Sequence, residues 1–265
     1  MTEGTMLKLL CLHGYTQNGN VFRKRIAVLQ KQLLKNNIEC VFVDAPHVST
    51  TTFNEVVTGE ERAWWNASED RQIYYGLDES LQYLKEFSDS NGPFDGILGF
   101  SQGAAMSSLI ADHLPIKPKF LVLVGGFVPK PQQAKEILTY RGPSLHVMGI
   151  KDELVANEWS MNLAALMANL EYFPDSVNES GVVKVLVHDG GHAVPGKSNY
   201  RHTIVEWICA QYFAYLKSLA LHDKTLPVDI VMETLVSVVM TSVGFCLADD
   251  PFYPISIEKS LSKTY

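Results

Sequence analysis

Cysteine is scarce in this chain: four in 265 residues, at Cys11, Cys40, Cys209 and Cys246, with no CxxC pair among them. That spacing excludes a disulfide-stapled scaffold and a zinc ribbon, so the cysteines read as small buried hydrophobes of a reducing compartment. Charge is also sparse, at 19%, and it lacks a basic excess: 22 Lys and Arg stand against 29 Asp and Glu, a net charge of -7. No strong positive field exists to draw in phosphate backbones, and nucleic-acid binding is disfavoured. The first ten residues lack the basic n-region, the long apolar core and the small-residue cleavage site of a secretory signal, which points to a cytosolic start. A membrane span is missing too. The charge-free stretch from Thr234 to Ala248 is shorter than the roughly 20 apolar residues a bilayer needs, and Asp229, Glu233, Asp249 and Asp250 flank it. No repeats or low-complexity segments stand out.

What is present is a globular core in the making. Hydrophobic residues make up 46% of the chain, enough to bury a full interior. Short β-branched runs alternate with stretches of helical period, the pattern of βαβ units and a parallel sheet. The runs are Leu7 to Leu12, Ile38 to Val43, Asp95 to Phe100, Phe120 to Val124, Ser144 to Met148 and Val182 to Val187. Most are apolar at successive positions, as strands covered on both faces must be. Between them, Val21 to Lys35, Asp78 to Phe87, Gln102 to His113, Glu158 to Leu170 and Asn199 to Ser218 repeat apolar residues at spacings of three and four. The expected fold class is α/β, a doubly wound, mainly parallel sheet of about six strands with helices on both faces and ligands at the strands' carboxyl ends. It occupies residues 1–220. Residues 221–265 form a C-terminal extension of uncertain role, expected to pack on the domain or on a partner, with a homodimer as one outcome.

The chemistry concentrates after the strands. Gly99-Phe100-Ser101-Gln102-Gly103 follows the third strand and opens a helix rich in small residues, which is the nucleophile-elbow pattern G-x-S-x-G. Its glycines permit a turn too tight for a Cβ, and the turn lifts Ser101 clear of the sheet. A serine hydroxyl needs a base, and the base needs an orienting acid. The loop after the sixth run holds His188-Asp189-Gly190-Gly191-His192. His188 lies at the strand end, where burial is the commoner fate; His192, beyond a flexible Gly-Gly pair, is the expected base. Asp152 sits in the loop after the fifth run, the expected slot for the acid, with Glu153 a rival as a helix N-terminal acid and Asp189 on the wrong loop. Two backbone N–H groups, of Gln102 and of Tyr15 in Leu12-His13-Gly14-Tyr15, are the expected oxyanion donors. His13 is read as structural support of that loop. The remaining histidines, at 47, 113, 146, 202 and 222, show no ligand spacing, so no metal is expected, and no cofactor either. The segment His47 to Tyr75 is too long for an ordinary connection. Its Phe53, Trp64 and Trp65 either anchor it on the core or line an acyl pocket, a cleft expected to be small and mostly apolar.

Five motifs in order, Leu10-Cys11-Leu12-His13-Gly14, Arg62-Ala63-Trp64-Trp65, Gly92-Pro93-Phe94-Asp95-Gly96, Gly99-Phe100-Ser101-Gln102-Gly103-Ala104 and Gly190-Gly191-His192, resemble those of the FSH family of serine hydrolases. These are small α/β-hydrolases, numerous in fungi and with an animal branch. The resemblance runs roughly from Leu7 to Leu219, and the tail departs from it. It implies a Ser101, Asp152, His192 triad, carboxylesterase or thioesterase activity on a small acyl substrate, and a cytoplasmic location with the nucleus as a second one. The competing readings are an acyl-thioesterase or acyltransferase releasing chains from a carrier, and a non-catalytic binding module on the same fold.

Overall fold

The structure is a computed structural model that describes residues 6–50, 60–170 and 182–222, with side chains to 218. Six strands form one sheet: β1 (Leu7–Leu12), β2 (Ile38–Val43), β3 (Gly96–Phe100), β4 (Phe120–Val124), β5 (Ser144–Gly149) and β6 (Val183–His188). Every pairing is parallel, and the spatial order is β6-β5-β4-β3-β1-β2. The six sequence runs therefore become the six strands, shifted by at most one residue at an end. Parallel strands require crossovers, and the helices α1 (Gly19–Arg25), α2 (Ala27–Lys35), α3 (Leu77–Asn91), α4 (Gln102–Ile110), α5 (Gln132–Glu136) and α6 (Asn157–Met167) supply them, while α7 (Ser198–His222) follows the last strand. Phe22, Leu29, Leu33, Ile204 and Ile208 of α1, α2 and α7 fill one face of the sheet, and Leu84, Ala104, Leu109 and Leu163 of α3, α4 and α6 fill the other. This is the α/β-hydrolase architecture.

Two helix expectations need correction. The stretch Val21 to Lys35 is not one helix. Asn18 caps the first by accepting the Val21 N–H at 2.8 Å, and that helix closes at Ile26, whose φ of -104° and ψ of 17° leave the helical range. Basic residues 23 to 25 sit in its last turn, where the helix dipole favours them. The short α5 had no sequence signal long enough to register as a period. Among its described residues, the segment from His47 forms two short antiparallel pairings. His47–Val48 pairs antiparallel with Arg62–Ala63, and Asn66–Ala67 with Tyr74–Tyr75. Phe53 and nearly all of the C-terminal extension, with Cys246, lie outside the described residues. Among those described, no helix is long and apolar enough to cross a membrane.

The strand order fixes where chemistry can occur. From β1 the chain goes to β2 on one side, then returns past β1 to β3 on the other, so the loops leaving β1 and β3 diverge and open a crevice between them. Residues 13–16 and Ser101 stand at that point.

Candidate active site

Ser101 occupies the junction of β3 and α4 with φ 54° and ψ -118°, a left-handed conformation that a non-glycine residue holds only under constraint. The constraint is visible. Its N–H bonds the Val124 carbonyl at 2.8 Å, and its own carbonyl accepts from Ala104 and Ala105 at 2.9 and 3.1 Å. The helix after it presses on β1 so closely that a Cβ at Gly103 would stand 2.2 Å from the Leu12 carbonyl oxygen, and one at Gly99 would stand 2.4 Å from Ser107 Oγ. We expect Gly103→Ala to lower stability by about 3 kcal/mol, the upper end of overpacking costs, because the obstacle is backbone; a urea midpoint unchanged from wild type would contradict this.

On the far side of the crevice, the loops after β5 and β6 are stitched to each other. Ile150 N–H donates to the His188 carbonyl at 2.9 Å and Lys151 N–H to the Gly190 carbonyl at 3.0 Å. This brings Asp152 and His192 together: Nδ1 lies 2.7 Å from Asp152 Oδ2, while Oδ1 accepts the backbone N–H groups of Leu154 and Val155 at 3.0 and 2.8 Å. Both carboxylate oxygens are thus committed, and the carboxylate is almost fully buried. The imidazole packs on Phe100 with ring centroids 4.8 Å apart. Behind it Gly125, at φ 58°, leaves the room that a Cβ 2.9 Å from His192 Cε1 would take. The rivals go elsewhere. Glu153 is exposed, Asp189 pairs with Lys197 on the surface, and His188 is buried, accepting the Gly190 N–H on Nδ1 at 3.1 Å. Burial lowers the His188 pKa.

Ser101, His192, Gly14 and Tyr15 all line one cavity of about 760 Å³. It is larger than the small cleft expected from the sequence, and apolar surface makes up the greater part of its lining, as expected. Phe127, Val128, Leu154 and Trp159, following β4 and β5, line part of it, whereas Asn18, Arg25, Glu60, Arg71 and Lys130 also reach it. Phe127, Val128 and Leu154 escaped notice because they lie in aperiodic loops, and Trp159 because it reads as one position of a helical period; their place just beyond strand ends was the available signal. Trp64 and Trp65 are not in this wall. Trp64 is completely buried, and Trp65 stacks on Tyr74 at 4.7 Å, so it is Tyr74 that reaches the cavity. Their part is to anchor the segment.

His13 is fully buried beside the crevice. Nε2 accepts the Ala45 N–H at 3.0 Å, so Nδ1 carries the proton and donates it to the Gly14 carbonyl at 2.8 Å. Burial pulls its pKa down to about 4, and pulls that of His146, inside β5, down to about 3. Both folded values lie below the unfolded one near 6.5. On acidification the unfolded chain takes up these protons first, and stability present above pH 6.5 is lost as pH falls toward 4. Each unit is about 1.4 kcal/mol, so a loss of a few kcal/mol is expected by pH 4. Urea midpoints of wild type and His146→Gln at pH 7 and 4.5 test this: the wild type should lose more on acidification, and equal losses would refute the His146 share.

Among the described residues, no cluster of His, Cys, Asp or Glu could hold a metal ion. Comparison with known proteins gives a consistent neighbourhood. The family described as serine hydrolase (FSH1) matches residues 1–204. The chain is 34% identical over 234 residues to esterase OVCA2 of Danio rerio, covering 76% of this chain and 96% of that protein. It is 31% identical over 229 residues to esterase CG5412 of Drosophila melanogaster, covering 80% of this chain and 76% of that one. Among solved structures, Arabidopsis thaliana SOBER1 superposes with a TM-score of 0.54 at 20% identity, over 78% of this chain and all of that one, a likeness of fold.

Proposed function

Because this chain belongs to the FSH1 serine hydrolase family, we propose that it hydrolyses carboxylic acyl esters through a triad of Ser101, His192 and Asp152 and a covalent acyl-enzyme. The observation that carries the reading is the 2.7 Å contact of His192 Nδ1 with a buried, doubly committed Asp152, in the cavity that holds a strained Ser101. The carboxylate accepts a hydrogen bond from Nδ1–H, which keeps the proton on Nδ1 and leaves Nε2 as the base. Nε2 takes the Ser101 hydroxyl proton as Oγ bonds to the ester carbonyl carbon. The carbonyl π pair moves onto oxygen, where the backbone N–H groups of Gln102 and Tyr15 would stabilise it. On collapse the C–O bond to the alcohol breaks, and the alkoxide leaves with the proton from His192. Water then enters by the same route: it gives a proton to Nε2, its oxygen attacks the acyl carbon, and Ser101 departs with the proton restored.

The residues beyond β4 and β5 offer an apolar wall for the acyl chain, whereas the charged and amide side chains leave the leaving-group side open to polar alcohols. Paired esters and thioesters of one acyl chain, assayed on wild type and Ser101→Ala, test the reading. Turnover of the oxygen ester by wild type alone supports it; equal turnover by the variant overturns the role of Ser101, and folded wild type inert to esters and to a fluorophosphonate overturns the reading in favour of a binding module.

A further inference from the structure

The oxyanion donors named above belong to two peptide groups, and a run of buried hydrogen bonds leads from the side chain after the nucleophile to the second of them. The side chain of Gln102 reaches away from the elbow and clamps the backbone of the next segment. Its Oε1 accepts the Trp64 N–H at 2.9 Å, and its Nε2 donates to the Trp65 carbonyl at 2.8 Å. Ser80 Oγ donates to the Trp64 carbonyl at 2.6 Å. With its main chain fixed, Trp64 extends its indole N–H to the His13 carbonyl at 2.9 Å and lays its ring near the His13 imidazole, centroids 5.3 Å apart. The His13 ring in turn donates to the Gly14 carbonyl, which also accepts the Gln17 N–H at 3.2 Å.

Peptide planarity makes this consequential. The Gly14 carbonyl and the Tyr15 N–H share one rigid unit and point in opposite directions. Whatever holds the carbonyl aims the N–H. The same holds one residue earlier, where the His13 carbonyl is fixed by Trp64 and the Gly14 N–H by the Gln17 side-chain oxygen at 3.3 Å. Every group in the set is neutral, so no charge needs compensation inside the core. We infer that Gln102, Trp64 and His13 are positioning residues that couple the nucleophile elbow to the loop after β1 and set the aim of the Tyr15 N–H. This rests on the hydrolase reading above. None of the three side chains touches the reacting atoms in this scheme; they act through the Tyr15 backbone donor.

The test uses full-length protein and three variants, Trp64→Phe, His13→Leu and His13→Asn, each shown to be folded by near-ultraviolet circular dichroism. Removing the indole N–H or the imidazole frees a peptide plane, and a donor displaced by a fraction of an ångström weakens transition-state stabilisation more than substrate binding. Trp64→Phe and His13→Leu should lose about 10- to 100-fold in kcat with KM within about two-fold, below the loss of a whole donor. Inhibition by an octyl trifluoromethyl ketone, whose serine adduct places an oxyanion in the same hole, should weaken by the same factor. His13→Asn keeps a donor near the Nδ1 position and should recover most of the rate. If Trp64→Phe does not fold, Gln102→Glu replaces it, since the carboxylate repels the Trp65 carbonyl while keeping its shape. Folded variants with wild-type kcat, or with losses confined to KM and an unchanged ketone constant, overturn the proposal. A wild type inert to esters would instead defeat the hydrolase reading beneath it.

Discussion

Ser101→Ala is expected to lower kcat/KM for an activated medium-chain acyl ester by roughly 10⁴- to 10⁶-fold, the range seen when a triad nucleophile is removed. The loss is chemical, not structural. Alanine can hold the same backbone conformation, because the main-chain bonds to Val124, Ala104 and Ala105 that impose φ 54° involve no side-chain atom. Thermal stability should therefore stay within about 1 kcal/mol of wild type, while turnover disappears. A stopped assay on variant and wild type at matched concentration decides it. A variant retaining a tenth of the activity would mean that the reacting nucleophile is another group.

Asp152→Asn should be nearly as damaging, by about 10⁴-fold in kcat, without harming the fold. Oδ1 accepts two backbone N–H groups, from Leu154 and Val155. An asparagine would keep its carbonyl oxygen there and turn its NH₂ toward His192. That NH₂ is a donor and needs an acceptor at Nδ1, so the imidazole must carry its proton on Nε2, where it cannot accept one from Ser101. The variant thus keeps the packing and holds the wrong tautomer. Measuring kcat beside the melting temperature separates this from simple unfolding: a small loss in kcat with a preserved melt would show that the 2.7 Å contact does not orient the base.

Much of this was legible in the residues. The six strands came from β-branched runs bounded by turn residues, and parallel pairing followed from the helical stretches between them. The elbow and the loops after β5 and β6 were readable because each is a short motif at a strand's carboxyl end. What escaped was whatever depended on contacts distant in sequence. Gln102 looked like a donor of its backbone N–H alone, since nothing near it announces that its amide would meet residues 64 and 65, 38 and 37 positions away. Trp64 and Trp65, aromatic and in a long segment, fitted a pocket wall as well as an anchor; the choice turned on a hydrogen bond to His13, 51 residues off. The break at Ile26 was hidden for a different reason. Apolar spacing runs straight through it, and a helix period does not reveal a single residue leaving the helical range.

In the proposed mechanism everything depends on Ser101 being the group that His192 activates. Labelling folded wild type with an alkyl fluorophosphonate, followed by peptide mapping in a mass spectrometer, addresses that directly. We predict one adduct, on Ser101, formed at a rate that collapses in His192→Ala. An adduct on any other residue, or labelling of Ser101 at an undiminished rate in His192→Ala, would contradict it.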